Sequence, residues 1–356
     1  MTILQFFSWS LLKVVVVTVV LLMGIAYTVL LERKLVGRIQ NRWGPSRVGP
    51  FGLLQPLVDG AKSFLKEDLI PTAVYRPLYL LAPIISLGCA LISIAVIPFG
   101  EPGAGPGRFD LFEISNVNIG LLIILGVTSM GVYGIALAGW SSNNKYSLLG
   151  SLRSSAQLIS YELALGLSLV GVVLRSGSLN LRTIVEQQAT HGIKTWNVFG
   201  GLQFIAFFIY LMAAFAETNR SPFDLPEAES ELTGGYHTEY SSMKFAMFFM
   251  AEYGNMINVG CVVTLLFFGG WTNPFANLIP IHNAFLLALL KNPVLVALGS
   301  IFFFVIKVFC FLCLYVWVRG TLPRFRYDQL MNFGWRFLLP LAILNVVGTS
   351  LWLAYR

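Results

Sequence analysis

Long apolar runs constrain this chain more than any other feature of its sequence. Eight runs follow one another, and each holds about 20 mostly apolar residues, enough for a helix to cross the hydrocarbon of a membrane. The sequence therefore predicts an all-α, polytopic membrane protein that forms a single integral membrane domain over residues 1–356. Its expected transmembrane helices cover roughly 8–31, 77–98, 117–139, 153–174, 198–217, 245–269, 294–318 and 336–354.

The composition supports this class and excludes two others. Only 12% of the 356 residues are charged and 56% are hydrophobic, whereas soluble domains carry about 25% charged residues. A water-soluble globule is therefore excluded, and the aromatic content of 14% excludes a disordered chain. The net charge of +7 would suggest nucleic acid in a soluble protein, but here basic loops at a lipid bilayer explain it, so no nucleic-acid partner is expected.

The distribution of Lys and Arg predicts the orientation of the chain. Sixteen of the 24 basic residues fall in one alternating set of connections. The positive-inside rule places this set in the cytoplasm and both termini on the outer side. The cytoplasmic connections are then 32–76, 140–153, 218–244 and 319–336.

One cytoplasmic connection has the pattern of an amphipathic helix. Within 52–66, apolar residues such as Leu54, Leu57, Val58 and Ala61 recur at helical spacing, while charged residues fall on other faces. We expect this segment to lie in the membrane interface on the cytoplasmic side.

Three carboxylates lie in or at the edge of the expected spans: Glu162, Glu217 and Glu252. A charge at the bilayer centre costs about 3 kcal/mol on insertion scales, so each of them must be protonated, paired or hydrated. Three in one chain favour a hydrated proton path over simple hydrogen bonding between helices. Lys307 lies in the middle of another span, and we expect it to pair with a buried carboxylate, either for proton transfer or as a structural ion pair.

The connection 217–244 is the most acidic part of the chain. Five carboxylates within fifteen residues accompany a single cation, Arg220. Carboxylates this close titrate as a coupled set that could store or pass protons, although a solvated acidic loop is an equal alternative. The five are Glu217, Asp224, Glu227, Glu229 and Glu231.

Two further segments are basic. Residues 32–50 favour a plain membrane anchor, although Gly44-Pro45 and Gly49-Pro50 require a specific loop path. Residues 319–329 could bind an anion or an acidic partner surface. No metal site is expected, because Cys310 and Cys313 lie in a span without a second pair. No phosphate loop, dinucleotide fingerprint or iron–sulfur pattern is present. If redox chemistry occurs here, a partner must hold the electron carrier.

Four long segments resemble the membrane subunit at the quinone site of respiratory complex I, the family of the bacterial NADH-quinone oxidoreductase H subunits and mitochondrial subunit 1. The resemblance extends over essentially the whole chain, including the eight-span layout. The segments are ERKLVGRIQNRWGPSRVGPFGLLQPLVDGAKSFLKED, SLRSSAQLISYE, AETNRSPFDLPEAESELTGGYHTEYSSMKFAMFFMAEY and WVRGTLPRFRYDQLMNFGW.

The resemblance implies a tunnel, framed by the first span, the interfacial helix and the sixth span, through which quinone enters from the membrane. Carried over by position, the tunnel residues are Glu32, Arg33, Arg42, Arg220, Asp224, Phe248, Arg319 and Arg324. The residues expected to couple quinone chemistry to proton movement are Glu162, Glu217, Glu227, Glu229, Glu231 and Glu252, to which the mid-span Lys307 is added.

The same resemblance implies the setting of the reaction. Quinone, either ubiquinone or menaquinone, is the expected substrate, no group is expected to be bound covalently, and the iron–sulfur clusters and FMN are expected on partner subunits. Expected partners are the subunits of the hydrophilic arm and the neighbouring small membrane subunits, in the bacterial cytoplasmic (inner) membrane. The alternatives are the equivalent subunit of a membrane-bound hydrogenase or other non-NADH donor complex, a stand-alone proton-coupled transporter, and a purely structural anchor.

Overall fold

The computed structural model describes residues 3–101, 112–190, 192–224, 234–274 and 293–355. All regular secondary structure in these ranges is helical, which confirms the predicted all-α class. The helices are α1 (Ile3–Ile39), α2 (Gln55–Leu65), α3 (Arg76–Ile94), α4 (Gly120–Ser141), α5 (Lys145–Ser176), α6 (Leu181–Gln188), α7 (Gln203–Glu217), α8 (Ser242–Phe267), α9 (Pro293–Thr321), α10 (Tyr327–Phe333) and α11 (Leu339–Ala354).

Seven helical units within the described residues are long and apolar enough to cross a membrane. They are α1, α3, α4, α5, α8, α9 and the continuous unit of α10 and α11, which a π-helical turn at Gly334–Leu338 joins. The fifth expected span, 198–217, is shorter than predicted, because α7 has only 15 residues. Its helix starts at Gln203 because Gly201, at φ 72°, has a left-handed conformation that a helix cannot contain.

Helix α8 is at the centre of the bundle. In its most apolar stretch 83% of the residues are buried, against 22% in α1 and in the α10–α11 unit. It packs against α1, α3, α7 and α9, and also against the short helices α2 and α6. Outer helices instead expose large apolar side chains, such as Val20 on α1 and Leu344 on α11. An exposed apolar outer surface suits a lipid environment, because lipid does not favour the burial of apolar side chains as water does.

Helix α5 supports the long connection between α7 and α8. The side chain of Asn144 caps its start by accepting a hydrogen bond from the Tyr146 amide. A short turn, Gly235–His237, then packs against its first third. The close approach of this turn to α5 requires glycine at position 150, because a Cβ on Gly150 would lie 2.8 Å from the Cα of Gly235.

A helix also occupies the segment expected to be amphipathic. It runs from Gln55 to Leu65 and begins just after a short helical turn at Pro50–Gly52. It packs against α1 and α8, while Leu57 and Phe64 are 55% and 71% exposed. The helix therefore combines contacts to the bundle with an exposed apolar surface, as expected of a segment in the membrane interface.

Candidate functional site

Arg220 lies at the centre of a buried group of charges. Its side chain is only 5% exposed, with Nη1 3.9 Å from Glu32 Oε2 and Nη2 3.8 Å from Glu252 Oε2. Arg319 forms an ion pair with the other carboxylate oxygen of Glu32. Helices α1, α8 and α9 and the loop after α7 each contribute one of these four residues. We call this group (Glu32, Arg220, Glu252 and Arg319) the charged junction.

Two tyrosines complete the junction; both lie in the third of the four resembling segments, but the sequence reasoning assigned a role to neither. The Tyr253 hydroxyl donates to Glu32 Oε2 over 2.7 Å, and the Tyr236 hydroxyl donates to Glu252 Oε1 over 2.9 Å. The guanidinium of Arg220 also lies 4.1 Å from the centre of the Tyr253 ring. Buried charges are costly unless they are paired and hydrogen-bonded, and these contacts supply both conditions. Two signals were available in the sequence: both tyrosines lie in that segment, and Tyr253 directly follows Glu252.

An apolar cavity of about 340 Å³ lies between α1, α2 and α8, next to the junction. Its size is in the range of small-molecule sites, roughly 300–1,000 Å³. Tyr253 contributes to its wall, and so does an ion pair of 2.6 Å between Arg33 on α1 and Asp59 on α2. Apolar residues dominate the rest of the lining, among them Leu22, Ile25, Ala26, Val29, Phe249 and Met250.

A second cavity, of about 40 Å³, has Glu252 of the junction in its wall; we call it the polar cavity. Glu162, Glu217 and Glu252 all line it, and the Ser129 hydroxyl donates to Glu162. This volume has room for about three water molecules and none for a quinone. The structure therefore brings together the three carboxylates that the sequence placed in separate spans.

A second ion pair holds the loop that carries Arg220. Arg324 Nη2 lies 2.9 Å from Asp224 Oδ2, and the rings of Phe223 and Phe325 stack with centres 5.6 Å apart. The Phe325 amide also donates to the Pro222 carbonyl over 3.1 Å. The segment between α9 and α10 thus packs along this loop.

Some expected site residues lie elsewhere. Arg42 is exposed, and its side chain donates to Gln40 on the surface rather than to a member of the junction. Phe248 is buried between Tyr236 and Tyr240 and lines the small polar cavity; the aromatic residue on the apolar cavity is its neighbour Phe249. Three acidic residues lie outside the described residues: Glu227, Glu229 and Glu231.

The expected pairing of Lys307 with a carboxylate is wrong. Its ammonium donates to the carbonyls of Phe268, Gly270 and Thr272 at 2.8–2.9 Å, and it lies 4.5 Å from the Trp196 ring centre. An ammonium has three protons, so these three carbonyls satisfy it fully. They follow the C-terminus of α8, which attracts cations. Phe268, the first of these three residues, lies about 24 Å from Glu252 along the axis of α8.

His237 lies between α7 and α8, within the electrostatic reach of Arg220. Burial, followed by the positive charge of Arg220, lowers the pKa of His237 to about 3. The imidazole is therefore neutral near pH 7.

Within the described residues no group of three His, Cys, Asp or Glu side chains could hold a metal ion.

Comparisons with known proteins identify the family of this chain. Residues 12–350 match the family model described as NADH dehydrogenase. The chain is 59% identical to an H subunit of NADH-quinone oxidoreductase from Koribacter versatilis, with 98% of this chain and 97% of that protein covered. It is 49% identical to the H subunit of the same enzyme from Leptospira biflexa serovar Patoc, covering 98% and 95%. The chain therefore belongs to the NADH dehydrogenase family, and within it to the H subunits of NADH-quinone oxidoreductase.

Proposed function

We propose that this chain admits quinone from the bacterial inner membrane to the reaction site of NADH-quinone oxidoreductase and couples quinone reduction to proton transfer. One observation carries the proposal: Arg220 joins Glu32, whose hydrogen-bond partner Tyr253 lines the apolar cavity, to Glu252, which lines the polar cavity. A charged group thus connects a space suited to an apolar ligand with a space suited to water and protons.

The apolar cavity is the proposed route of the substrate. An isoprenoid tail needs an apolar wall, which α1, α2 and α8 supply. A quinone head needs polar groups, which Tyr253 and the junction offer at one part of that wall. Ubiquinone and menaquinone both meet this description. FMN and iron–sulfur clusters, which deliver the electrons, belong in this proposal to partner subunits of the hydrophilic arm.

The junction is the proposed coupling element. Reduction of quinone to quinol uses two electrons and two protons, so negative charge develops beside Glu32 and Arg220 until protons arrive. Charge that appears near a buried ion pair acts strongly on it, because little solvent screens the interaction. Redistribution of Arg220 between Glu32 and Glu252 would then change the proton occupancy of the polar cavity, where Glu162 and Glu217 can pass protons through water.

The remaining parts of the proposal concern partners and orientation. The acidic residues Glu227, Glu229 and Glu231 would link the quinone head to the junction, and neighbouring small membrane subunits would receive the protons. The hydrophilic arm would dock on the basic cytoplasmic connections, with both termini on the outer side. The names of the relatives favour this enzyme over a hydrogenase-type complex or a stand-alone transporter.

Glu252→Gln in the assembled complex tests the proposal. Glutamine keeps the size of Glu252 and an acceptor for Tyr236, but removes the charge that faces Arg220. We expect NADH:quinone reductase activity and proton pumping to fall together, while NADH:ferricyanide activity per complex is unchanged. The matched control is Glu186→Gln, which alters a carboxylate paired with Arg182 on α6, away from the junction. Pumping and turnover of Glu252→Gln at the level of this control would overturn the proposal.

Replacing Glu227 and Glu229 together by Gln tests the role of the acidic loop. The double variant should lose quinone reduction and pumping in parallel. Unchanged activity would remove this loop from the coupling scheme and leave the junction to act alone.

A further inference from the structure

The loop that carries Arg220 is held from inside the protein by one side chain of α5, Gln157. The Gln157 side chain is completely buried, and its Nε2 donates to the carbonyls of Ala216 and Phe223, each at 2.8 Å. Ala216 lies in the last turn of α7, and Phe223 lies three residues after Arg220. The two contacts therefore enclose the stretch of backbone that includes Arg220.

A second hydrogen bond extends this contact to Arg220 itself. The Phe223 amide donates to the Arg220 carbonyl over 2.8 Å, while the Phe223 carbonyl accepts from Gln157. Only two hydrogen bonds thus separate the Gln157 amide from the backbone of Arg220. Because both acceptors are carbonyls, only the nitrogen of the Gln157 amide can face them, and its orientation is fixed.

The other support of this loop has a different character. Arg324, which pairs with Asp224, has a side chain that is 37% exposed, so solvent weakens this ion pair. Gln157 has no such competition from water, since it is completely buried. The inner contact is therefore the one suited to fix the position of the Arg220 backbone.

We propose that Gln157 is a positioning residue for the quinone reaction, which acts by holding Arg220 between Glu32 and Glu252. This inference rests on the proposed function of the junction. The two Arg220 contacts are long, at 3.8 and 3.9 Å, so a small displacement of the loop would favour one carboxylate over the other. A misplacement of about 1 Å can cost roughly a hundredfold in rate.

Gln157→Met is the first test, because methionine has nearly the same length and no donor. In the assembled complex we expect quinone reductase turnover, normalised to NADH:ferricyanide activity, to fall at least about tenfold. The matched control is Gln188→Met. Gln188 is also buried, and its Nε2 donates to the Leu265 carbonyl over 2.9 Å, near the far end of α8. Gln157→Met removes two buried hydrogen bonds, and Gln188→Met removes more, because Gln188 Oε1 also accepts from the amides of Asn197 and Gly269. A loss of complex is therefore expected in both variants, but only Gln157→Met should lose turnover per complex.

A double-mutant cycle separates positioning from general destabilisation. If Gln157 acts through Arg220, adding Gln157→Met to Arg220→Lys should lower turnover per complex by less than about twofold further. If the two residues act independently, the separate reductions multiply. Should Gln157→Met fail to assemble, Gln157→Glu is used in the same cycle, since it keeps the shape and offers at most one donor.

The outcomes distinguish this inference from the proposed function. Normal turnover of Arg220→Lys and Glu252→Gln would overturn the function proposed for the junction. If those two variants are impaired, two further results would overturn only the role of Gln157. One is equal turnover in Gln157→Met and Gln188→Met, and the other is a cycle in which the separate reductions multiply.

Discussion

The hydroxyl of Tyr253 donates to the carboxylate of Glu32 over 2.7 Å, although 221 residues separate them in the chain. This bond joins α8 to α1 where the apolar cavity meets the charged junction. Tyr253 thus has two roles at one position: its ring lines the cavity and contacts Arg220, and its hydroxyl satisfies a buried carboxylate.

Tyr253→Phe separates these two roles. Phenylalanine keeps the ring but leaves one oxygen of Glu32 without this donor, and loss of a hydrogen bond to a buried charge costs about 1–3 kcal/mol. We expect quinone reductase turnover per complex to fall roughly fivefold to a hundredfold. Tyr210→Phe is the control, because Tyr210 is also buried and donates to the Val259 carbonyl away from the junction. Equal turnover in the two variants would contradict the prediction.

Gly60→Leu tests the apolar cavity as a route for quinone. Gly60 lines the cavity, and a Cβ added there meets no atom within 4 Å, so this part of the wall has open space for a larger side chain. We expect a higher KM for quinone, most clearly for long-tailed quinones, at unchanged complex content. Ala61→Leu is the control, since the next residue points about 100° away around α2. An unchanged KM for Gly60→Leu would show that quinone does not pass this wall.

Lys307→Met should impair assembly rather than coupling. The variant leaves three carbonyls beyond α8 without their charged donor, and a hydrogen bond to a charged group contributes about 1.5–3 kcal/mol. Native gels should show less assembled complex, with normal turnover and pumping per complex. The control Lys145→Met removes an exposed lysine at the start of α5. Full assembly combined with a loss of pumping would instead support a proton-transfer role for Lys307.

His237 should make the complex sensitive to acid. Its pKa is about 3 in the folded chain, because of burial and then Arg220, and about 6.5 in an unfolded one. Between these values the unfolded chain binds a proton that the folded chain does not, so stability falls as the pH decreases through this window. His237→Gln should therefore lose less thermal stability than the original complex between about pH 7 and pH 5. Equal losses, measured by thermal denaturation in detergent, would contradict this.

Adjacent residues on one helix show where sequence reasoning reached its limit. Phe248 was the one aromatic among the expected tunnel residues, but Phe249 lines the apolar cavity that we propose as the quinone route, while Phe248 lines the polar one. Neighbouring residues point about 100° apart on a helix, and the rotation of α8 depends on contacts with the helices around it. No pattern within α8 itself fixes that rotation.

Lys307 shows a second limit. A lysine within an apolar run needs a partner, and the sequence correctly indicated that need. The partner is a set of backbone carbonyls, which every residue carries and which no sequence pattern marks. By contrast, Glu162, Glu217 and Glu252 line one cavity, and a hydrated proton path through it stays a prediction.

The sequence by itself determined the all-α class, most of the apolar helices and the chemical types of the site residues, because hydropathy and the cost of charge in lipid act locally along the chain. Only the tertiary structure decided that Arg220 lies between Glu32 and Glu252, that two tyrosines complete this group, and that Gln157 holds the loop. These contacts join residues from different helices, and their geometry follows from how the helices pack and rotate against one another.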